Sequence, residues 1–280
     1  MGKFFDEGSD GSRPNKSLFD LFIKLQTDTP TVLQILEPEV TKEKNIIWRH
    51  YIPQALRKSG QRGMPIVCPG MDVCPICIKN KTLPDRNHPE YISPQKRVVV
   101  NVLDLTPVRV CELCQTENET TECSYCGFNL SEVAPTPRNE VKLLERGTTL
   151  FSQLAACEET VTVPYNPDDP RNDPDAYNDA KPGDEVPAGI TTFPITIITK
   201  RSAKGDITTT PVPGKPNSLD WRDYQDKLLD IKASYIILKP DEINQLLAGG
   251  SLSEVLKTRN AASREETNEE VQAETQSVPF

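Results

Sequence analysis

The sequence predicts a mainly β protein with peripheral helices, in which a small barrel carries insertions. Short runs rich in β-branched residues recur between turn residues, and the clearest is 96–105, K-R-V-V-V-N-V-L-D-L. Apolar residues make up 36% of the 280 residues and aromatic residues only 6%, which suits one modest core. Helical periodicity is confined to a few short stretches. Strands therefore dominate the predicted fold.

The predicted elements follow one another in short steps. A Ser cap opens a short helix at 17–26. Helices are also predicted at 148–156 and 241–258, and 224–238 is predicted as a helix that runs into a strand. The predicted strands are 31–36, 45–52, 96–105, 141–144, 193–199 and 207–212.

These elements predict a central domain with additions at both ends and two insertions. The insertions differ in character, since one is rich in cysteine and the other in Pro, Asp and Asn, a composition that cannot support a packed core. The predicted organisation is an N-terminal segment with a short helix at 1–27, a core at 28–238 with insertions at 111–130 and 158–190, a C-terminal helix at 239–260 and an acidic disordered tail at 261–280.

The formal net charge of -9 is concentrated in two places. Residues 158–190 carry nine acidic and two basic residues, and residues 265–280 carry five acidic residues and no basic one. The remainder of the chain is therefore mildly basic, so the overall charge does not exclude an anionic ligand.

The sequence contains no apolar run near the roughly 20 residues needed to span a bilayer. Its first residues, M-G-K-F-F-D-E-G-S-D-G-S, also lack the pattern of a signal peptide. We therefore expect a cytoplasmic protein without a membrane partner, and cysteines that bind metal instead of forming disulfides.

Seven of the eight cysteines form two groups built on Cys-x-x-Cys pairs. In such a pair a tight turn aims two thiolates at one ion, and tetrahedral zinc is the usual occupant. One group supplies four thiolates and predicts a self-contained zinc ribbon, a short zinc-bound loop pair, at 111–130. Its ligands are Cys111, Cys114, Cys123 and Cys126.

The other group, Cys68, Cys74 and Cys77, needs a fourth ligand. The sequence contains two histidines: His50 on a predicted strand before the loop, and His88 in the segment after it. A histidine on a neighbouring strand can complete a site whose cysteines lie on the following loop, so we favour His50. His88 stays the alternative, and two zinc ions are expected in total.

Neither zinc site is expected to be catalytic, because four protein ligands leave no position for a water molecule. The sequence also lacks a Ser/His/Asp arrangement, a phosphate-binding glycine loop and a spaced carboxylate cluster. We therefore expect that the protein is not an enzyme.

Basic and aromatic residues alternate in the predicted barrel. Proteins that bind single strands use cations to follow the phosphates and exposed aromatic rings to stack on bases. The candidate residues are Arg49, Tyr51, Arg57, Lys58, Arg62, Tyr91, Lys96, Arg97, Lys200, Arg201 and Lys204.

The acidic tail ends in S-V-P-F. A flexible anion can compete with DNA for a basic groove, and the terminal Phe280 can dock in a pocket of another protein. We therefore expect the tail to regulate binding and to contact partners.

Together these segments resemble the phage single-stranded-DNA-binding proteins of the T-even helix-destabilising type. The matching residues are His50, Cys68 and Cys74-Pro75-Ile76-Cys77, then Y-I-S-P-Q-K-R-V-V-V-N-V-L-D and V-K-L-L-E-R-G-T-T-L-F-S-Q-L. The resemblance spans 28–240 in outline and implies an OB-fold core with a His-Cys-Cys-Cys zinc site. The tip S-V-P-F resembles that of bacterial single-strand-binding proteins, which recruit replication and repair enzymes.

The chain departs from the T-even pattern in three ways. His50 and Cys68 are further apart, residues 111–130 are inserted, and there is no clearly basic N-terminal arm for self-association. The last departure puts cooperative filament formation in doubt, while DNA binding is still implied.

We expect a sequence-tolerant single-stranded-DNA-binding protein that coats and protects DNA in replication, recombination and repair, in an infected bacterial host if it is phage-encoded. One alternative is an adaptor or transcription-regulatory module whose ribbon contacts a polymerase. The other is an accessory subunit of a nuclease or primase.

Overall fold

A computed structural model describes residues 18–54, 64–169, 177, 179–203 and 205–259. They form a mixed α/β protein with antiparallel sheets, in which strand residues outnumber helical ones. The chain divides into two compact units, each made of two stretches of sequence. Unit 1 is Met1–Ile46 with Arg97–Tyr235, and unit 2 is Ile47–Lys96 with Ile236–Phe280.

All six predicted strands are present, with bounds shifted by a few residues. Several shorter strands were not predicted. In chain order the strands are β1 (Thr31–Ile35), β2 (Ile46–Ile52), β3 (Met64–Val67), β4 (Pro94–Asp104), β5 (Pro107–Val110), β6 (Glu117–Asn118), β7 (Thr136–Pro137), β8 (Glu140–Gly147), β9 (Thr162–Pro164), β10 (Glu185–Pro187), β11 (Ile195–Arg201) and β12 (Ile207–Pro213).

The helices are short, and none among the described residues has the length and apolarity to cross a membrane. They are α1 (Lys42–Asn45), α2 (Pro75–Thr82), α3 (Thr148–Thr160) and α4 (Pro240–Leu247). Residues 252–259 are also helical, and single 3-10 helices cover Leu18–Leu21 and Trp221–Lys227.

Unit 1 is built on an antiparallel sheet with the strand order β12-β11-β1-β4-β8. β4 is buried continuously from Val98 to Asp104, which explains its run of β-branched residues. Helix α3 adds Leu150, Leu154 and Cys157, whose spacing places them on one buried face. The core of this unit therefore lies between the sheet and α3.

The predicted barrel is not closed by the described residues. β12 and β8 end the strand order of unit 1, and no pairing between them is present in the part of the chain that the structure describes. Helix α3 packs against β12 instead of another strand. A barrel needs its first and last strands to pair, so the sheet of unit 1 is open.

The prediction of disorder for 158–190 is wrong for both ends of that segment. β9 and β10 pair there, and Tyr165, Val186 and Ala188 are buried. The backbone N–H of Ile190 also donates to the Glu158 carboxylate at 3.0 Å. Composition misled because a few apolar residues suffice to attach two short strands to an existing core. The middle of the segment lies outside the described residues.

Three predicted helices differ from those observed. In 17–26 only Leu18–Leu21 is helical, as a 3-10 turn, and 224–238 contains the end of a 3-10 helix and turns but no described strand. The helix predicted over 241–258 breaks at Gly249, whose φ of +92° favours glycine. At Gly250 a Cβ atom would approach the Gln245 carbonyl oxygen to 2.8 Å. The C-terminal segment therefore forms two short helices.

Unit 2 consists of the β2–β3 hairpin, α2, α4 and the helical residues 252–259. Its small core is made by apolar residues from all of these elements together with two cysteines. The buried members are Ile52, Ile66, Cys74, Ile76, Cys77, Ile92, Leu238, Ile243, Leu246 and Val255.

A buried carboxylate joins the end of β4 to the cysteine-rich insertion. Asp104 is 1% exposed and accepts bonds from Arg138 at 2.9 Å, Lys142 at 3.3 Å and the backbone N–H of Thr106 at 3.0 Å. Burial alone would raise the pKa of Asp104, but the bonds from Arg138 and Thr106 outweigh it and lower that pKa. Arg138 also pairs with Glu117 and Glu119 of the insertion.

We predict that Asp104→Asn lowers the free energy of unfolding by about 2–3 kcal/mol at neutral pH, because Arg138 and Lys142 lose a buried partner. Since the folded pKa lies below the unfolded value of about 3.9, this contribution is present above pH 4 and is lost as the pH falls through the folded pKa. Urea unfolding across pH should show the difference between wild type and variant shrinking in acid. Glu140→Gln, the control at a more exposed partner of Lys142, should cost less than about 1 kcal/mol. A pH-independent difference for Asp104→Asn would contradict the assignment.

Candidate metal centres

The first centre joins His50 to Cys68, Cys74 and Cys77. One potential ligand atom from each residue lies within 4.8 Å of the others. The Cys68 and Cys77 sulfurs are 3.7 Å apart, and His50 Nε2 lies 3.6 Å from the Cys74 sulfur and 3.3 Å from that of Cys77. The fold thus brings together the three cysteines and His50, as expected from the sequence.

Local structure in unit 2 places each of these ligands. In the β2–β3 hairpin His50 pairs with Ile66, so Cys68 follows just beyond the end of β3. Gly70 then turns the chain with a φ of +136°, and its carbonyl accepts the Cys74 backbone N–H at 2.8 Å. Cys74 caps α2 and Cys77 lies in its first turn, so the two sulfurs share one side of the helix.

The distances fit a single tetrahedral ion. Sulfurs held about 2.3 Å from zinc are spaced about 3.8 Å apart, and a nitrogen at about 2.0 Å lies about 3.5 Å from each sulfur. The observed separations of 3.3–3.7 Å are close to these values. Thiolate and imidazole ligands in this geometry are the set that zinc prefers in proteins.

The orientation of His50 is fixed by a backbone carbonyl. His50 is fully buried, and its Nδ1 lies 3.3 Å from the carbonyl oxygen of Ile92. Asn80 bonds the backbone of Ile92 twice, since its amide N–H donates to the Ile92 carbonyl at 2.8 Å and its oxygen accepts the Ile92 N–H at 3.2 Å. With a proton on Nδ1, the lone pair of Nε2 faces the sulfurs, as a metal ligand requires.

His88 does not lie in this group. Its Nδ1 accepts the backbone N–H of Glu90 at 3.3 Å in a loop, and the residue is half-buried. The geometry thus favours His50 over the sequence alternative His88.

The surroundings of this centre are apolar and closed. Cys74 is 0% and Cys77 7% exposed, and α4 covers the site with residues distant in sequence. Four protein ligands in such a setting are typical of a structural metal site. The apolar spacing of α4 predicted a helix, but its contact with the metal centre was not predictable from that spacing.

The thiols of this centre do not share one pKa. The hydrogen bond from Cys68 lowers the pKa of Cys74 to about 4. Burial raises the pKa of Cys77. One thiolate is thus favoured before any cation binds, and metal binding displaces the remaining protons.

The second centre contains Cys111, Cys114, Cys123 and Cys126, all in unit 1. Sulfur separations are 3.6 Å for Cys111–Cys126, 3.4 Å for Cys114–Cys123 and 3.7 Å for Cys114–Cys126. These distances also suit one tetrahedral ion. The four-cysteine grouping expected from the spacing is therefore present.

The two halves of this ribbon have the same backbone turn. Gln115 N–H donates to the Cys111 carbonyl at 2.8 Å, and Gly127 N–H donates to the Cys123 carbonyl at 2.9 Å. Both turn residues have positive φ, +59° at Gln115 and +70° at Gly127. Each Cys-x-x-Cys pair is thus followed by a residue in the left-handed backbone conformation. Glycine adopts this conformation without strain, whereas glutamine adopts it with some strain.

Backbone N–H groups stabilise thiolate in the ribbon. Those of Cys126 and Tyr125 lower the pKa of Cys123 to about 6. Leu130 is fully buried with the cysteines, and Val133 is half-buried beside them. Because so small a core cannot hold its shape alone, bound metal would supply most of the ribbon's stability.

The DNA-binding candidates of unit 2 lie mainly on one strand. In β2, Tyr51 is exposed and Arg49 half-buried, and alternation places both on the face opposite His50. Tyr91 is half-buried and Lys96 is exposed. The structure thus brings Arg49 and Tyr51 together on one face.

In unit 1, Lys200 and Arg201 are exposed at the end of β11, while Arg97 is half-buried. The remaining candidates lie outside the described residues. They are Arg57, Lys58, Arg62, Lys204 and Phe280.

Two features of these centres were not expected from sequence. Asn80 and Ile92 orient His50, and Leu113 and Tyr125 are strongly exposed on the ribbon. No sequence signal marks the first pair, because it depends on tertiary contact. The second pair was detectable, since each residue directly precedes the second cysteine of its Cys-x-x-Cys pair.

We predict that His50→Ala weakens one of two zinc sites by more than about 100-fold, since even outer partners of ligands typically contribute 10- to 100-fold. Chelator competition with colorimetric zinc release measures this affinity. His88→Ala is the matched control and should release zinc like the wild type. Loss of zinc in His88→Ala with retention in His50→Ala would reverse the ligand assignment.

Comparisons with known proteins do not assign the chain to a family. No protein-family model matches the chain, and no curated protein is significantly similar to it.

Proposed function

We propose that the chain binds single-stranded DNA without sequence preference and does so without catalysing a reaction. The observation that carries this proposal is the exposed ring of Tyr51, 49% accessible, beside Arg49 on the β2 face opposite the metal ligand His50. A base can stack on the ring while the guanidinium neutralises a phosphate. Stacking of this kind does not discriminate among bases.

Zinc would give this face its rigidity. Two ions are proposed, one in each centre, and neither would retain an open position for chemistry. With His50 held by zinc, the neighbouring side chains of β2 keep fixed directions, because successive residues of a strand face opposite ways. The metal thus supports binding without contacting DNA.

The further cations and the tail complete the proposal. Lys96, Arg97, Lys200 and Arg201 would follow the phosphates, as would those candidates outside the described residues. Of the OB-type core implied by the resemblance, the proposal keeps the antiparallel sheet of unit 1 as the scaffold of the binding face, without a closed barrel. Roles in replication, recombination and repair, and a location in the cytoplasm of a host bacterium, also belong to it.

We predict that Tyr51→Leu weakens oligo-dT binding by about 1–3 kcal/mol, the usual contribution of one stacked base. Fluorescence titration measures the affinity, with a duplex of matched length as the competing ligand. Tyr224→Leu is the control, because the half-buried ring of Tyr224 already has the Lys227 ammonium over its face, 5.1 Å from the ring centroid. Preference for the duplex, or equal losses in the two variants, would contradict the proposal.

Removal of residues 265–280 should raise the affinity for oligo-dT, because it deletes five carboxylates that compete with phosphate for the same cations. The affinity should also fall steeply with salt, by a slope of about 0.7 per phosphate contact on logarithmic axes. Titrations of the full and shortened chains at several salt concentrations check both effects. Unchanged affinity after truncation would remove the tail from the mechanism.

The exposed apolar tip of the ribbon favours the adaptor alternative more than any other feature. Leu113 is 70% and Tyr125 80% exposed. An adaptor would bind a polymerase through this tip and show no salt-dependent binding to oligo-dT. The titrations above therefore separate the two functions.

A further inference from the structure

The tip of the ribbon is an exposed apolar surface. Leu113 and Tyr125 are the most exposed large hydrophobic side chains of the described residues, at 70% and 80%. Each precedes a cysteine, and the sulfurs of those two cysteines, Cys114 and Cys126, are 3.7 Å apart. The two side chains therefore belong to the two Cys-x-x-Cys turns that meet at this centre. Exposed apolar residues at neighbouring positions are typical of a contact surface.

The charge around this tip excludes phosphate as its ligand. Residues 111–132 contain five glutamates and neither lysine nor arginine. Glu117 and Glu119 pair with Arg138, whereas Glu112 and Glu122 are exposed and form no ion pair with another described residue. Four thiolates around one zinc ion add a net charge of about −2. The tip therefore suits a surface with cations beside an apolar side chain.

The chain itself presents such a surface on the β11–β12 hairpin. Lys200 and Arg201 are exposed and form no ion pair within the described residues. Ile207, the cross-strand neighbour of Arg201, is 57% exposed. The hairpin thus has positive charge to meet the carboxylates of the ribbon, and an exposed apolar side chain to meet Leu113 and Tyr125.

Both surfaces lie at the same end of the sheet of unit 1. β4 and β11 each run antiparallel to β1, so their carboxyl ends lie at the end where β1 begins. The ribbon follows β4 and the hairpin turn follows β11. A two-fold axis at this end can therefore bring each ribbon to the other copy's hairpin.

We propose that two copies of the chain associate through this end of unit 1, with the ribbon of each docked on the β11–β12 hairpin of the other. The two contacts form together in one symmetric pair, so the association closes at a dimer. Charge complementarity specifies the partner, and Leu113 and Tyr125 supply apolar contact.

Competition between the dimer and DNA would follow if the proposed function is correct. Lys200 and Arg201 would be engaged by carboxylates in the dimer and by phosphates in the DNA complex. The two states would then exclude each other at the hairpin, and oligo-dT would dissociate the dimer. The dimer itself is testable without DNA.

The experiment uses sedimentation equilibrium of the zinc-loaded full chain at low salt without DNA. Wild type should dimerise. Glu112→Lys with Glu122→Lys, or Lys200→Glu with Arg201→Glu, should each raise the dissociation constant at least about tenfold, because like charges then face each other. An equimolar mixture of the two double variants should dimerise again, since both contacts then join opposite charges.

Glu39→Lys with Glu43→Lys is the matched control. It makes the same change in charge on exposed residues beyond the opposite end of β1, and it should dimerise like the wild type. Zinc content and thermal unfolding identify any variant that fails to fold. In that case the wild type still tests the idea, because its own dimerisation does not depend on the folding of any variant.

A wild-type chain that stays monomeric overturns the proposal, as does a mixture that fails to associate while both variants are folded. The outcome is independent of the DNA titrations. A dimer that does not bind oligo-dT would contradict the proposed function alone, and a monomer that binds it would contradict the dimer alone.

Discussion

Side-chain alternation along β2 is the constraint on which the rest of unit 2 depends. His50 reaches the cysteines only if its neighbours Arg49 and Tyr51 face the other way. A metal ion bound on one face of the strand therefore fixes which residues are available on the opposite face. A shift of one residue in the β2–β3 register would expose the side chain of His50 and bury that of Arg49. Metal binding and the exposed basic and aromatic face are thus consequences of the same pairing.

Metal bound in the two candidate centres would stabilise the chain in different ways. In the first, ligands from β2, the end of β3 and α2 meet inside an apolar cluster to which α4 contributes Ile243 and Leu246. Metal there would link elements that are distant in sequence, so its binding free energy adds to that of the whole unit. The ribbon takes all four ligands from one short segment. Its link to the sheet is instead the ion pair of Arg138 with Asp104.

Local chemistry was predictable from the sequence, whereas long-range packing was not. Cysteine spacing indicated both centres, and β-branched residues indicated β4, because each pattern depends on neighbours in the chain. The open sheet depends on α3 packing against β12 where a barrel would need a strand. The contact of Asn80 with Ile92, and the order of β9 and β10, likewise depend on residues far apart in sequence. Composition alone therefore underestimated how much of 158–190 is ordered.

The separation of charge along the chain constrains what each surface can bind. Carboxylates dominate the ribbon, the 158–190 segment and the tail, while exposed cations such as Lys200 and Arg201 lie at strand ends. Any polyanion that approaches these cations competes with carboxylates of the same molecule or of a second copy. Such competition lowers the affinity for short or weakly charged ligands more than for a long polyanion, which replaces many carboxylates at once. If the chain binds single strands as proposed, this distribution of charge would favour long strands over short anionic molecules.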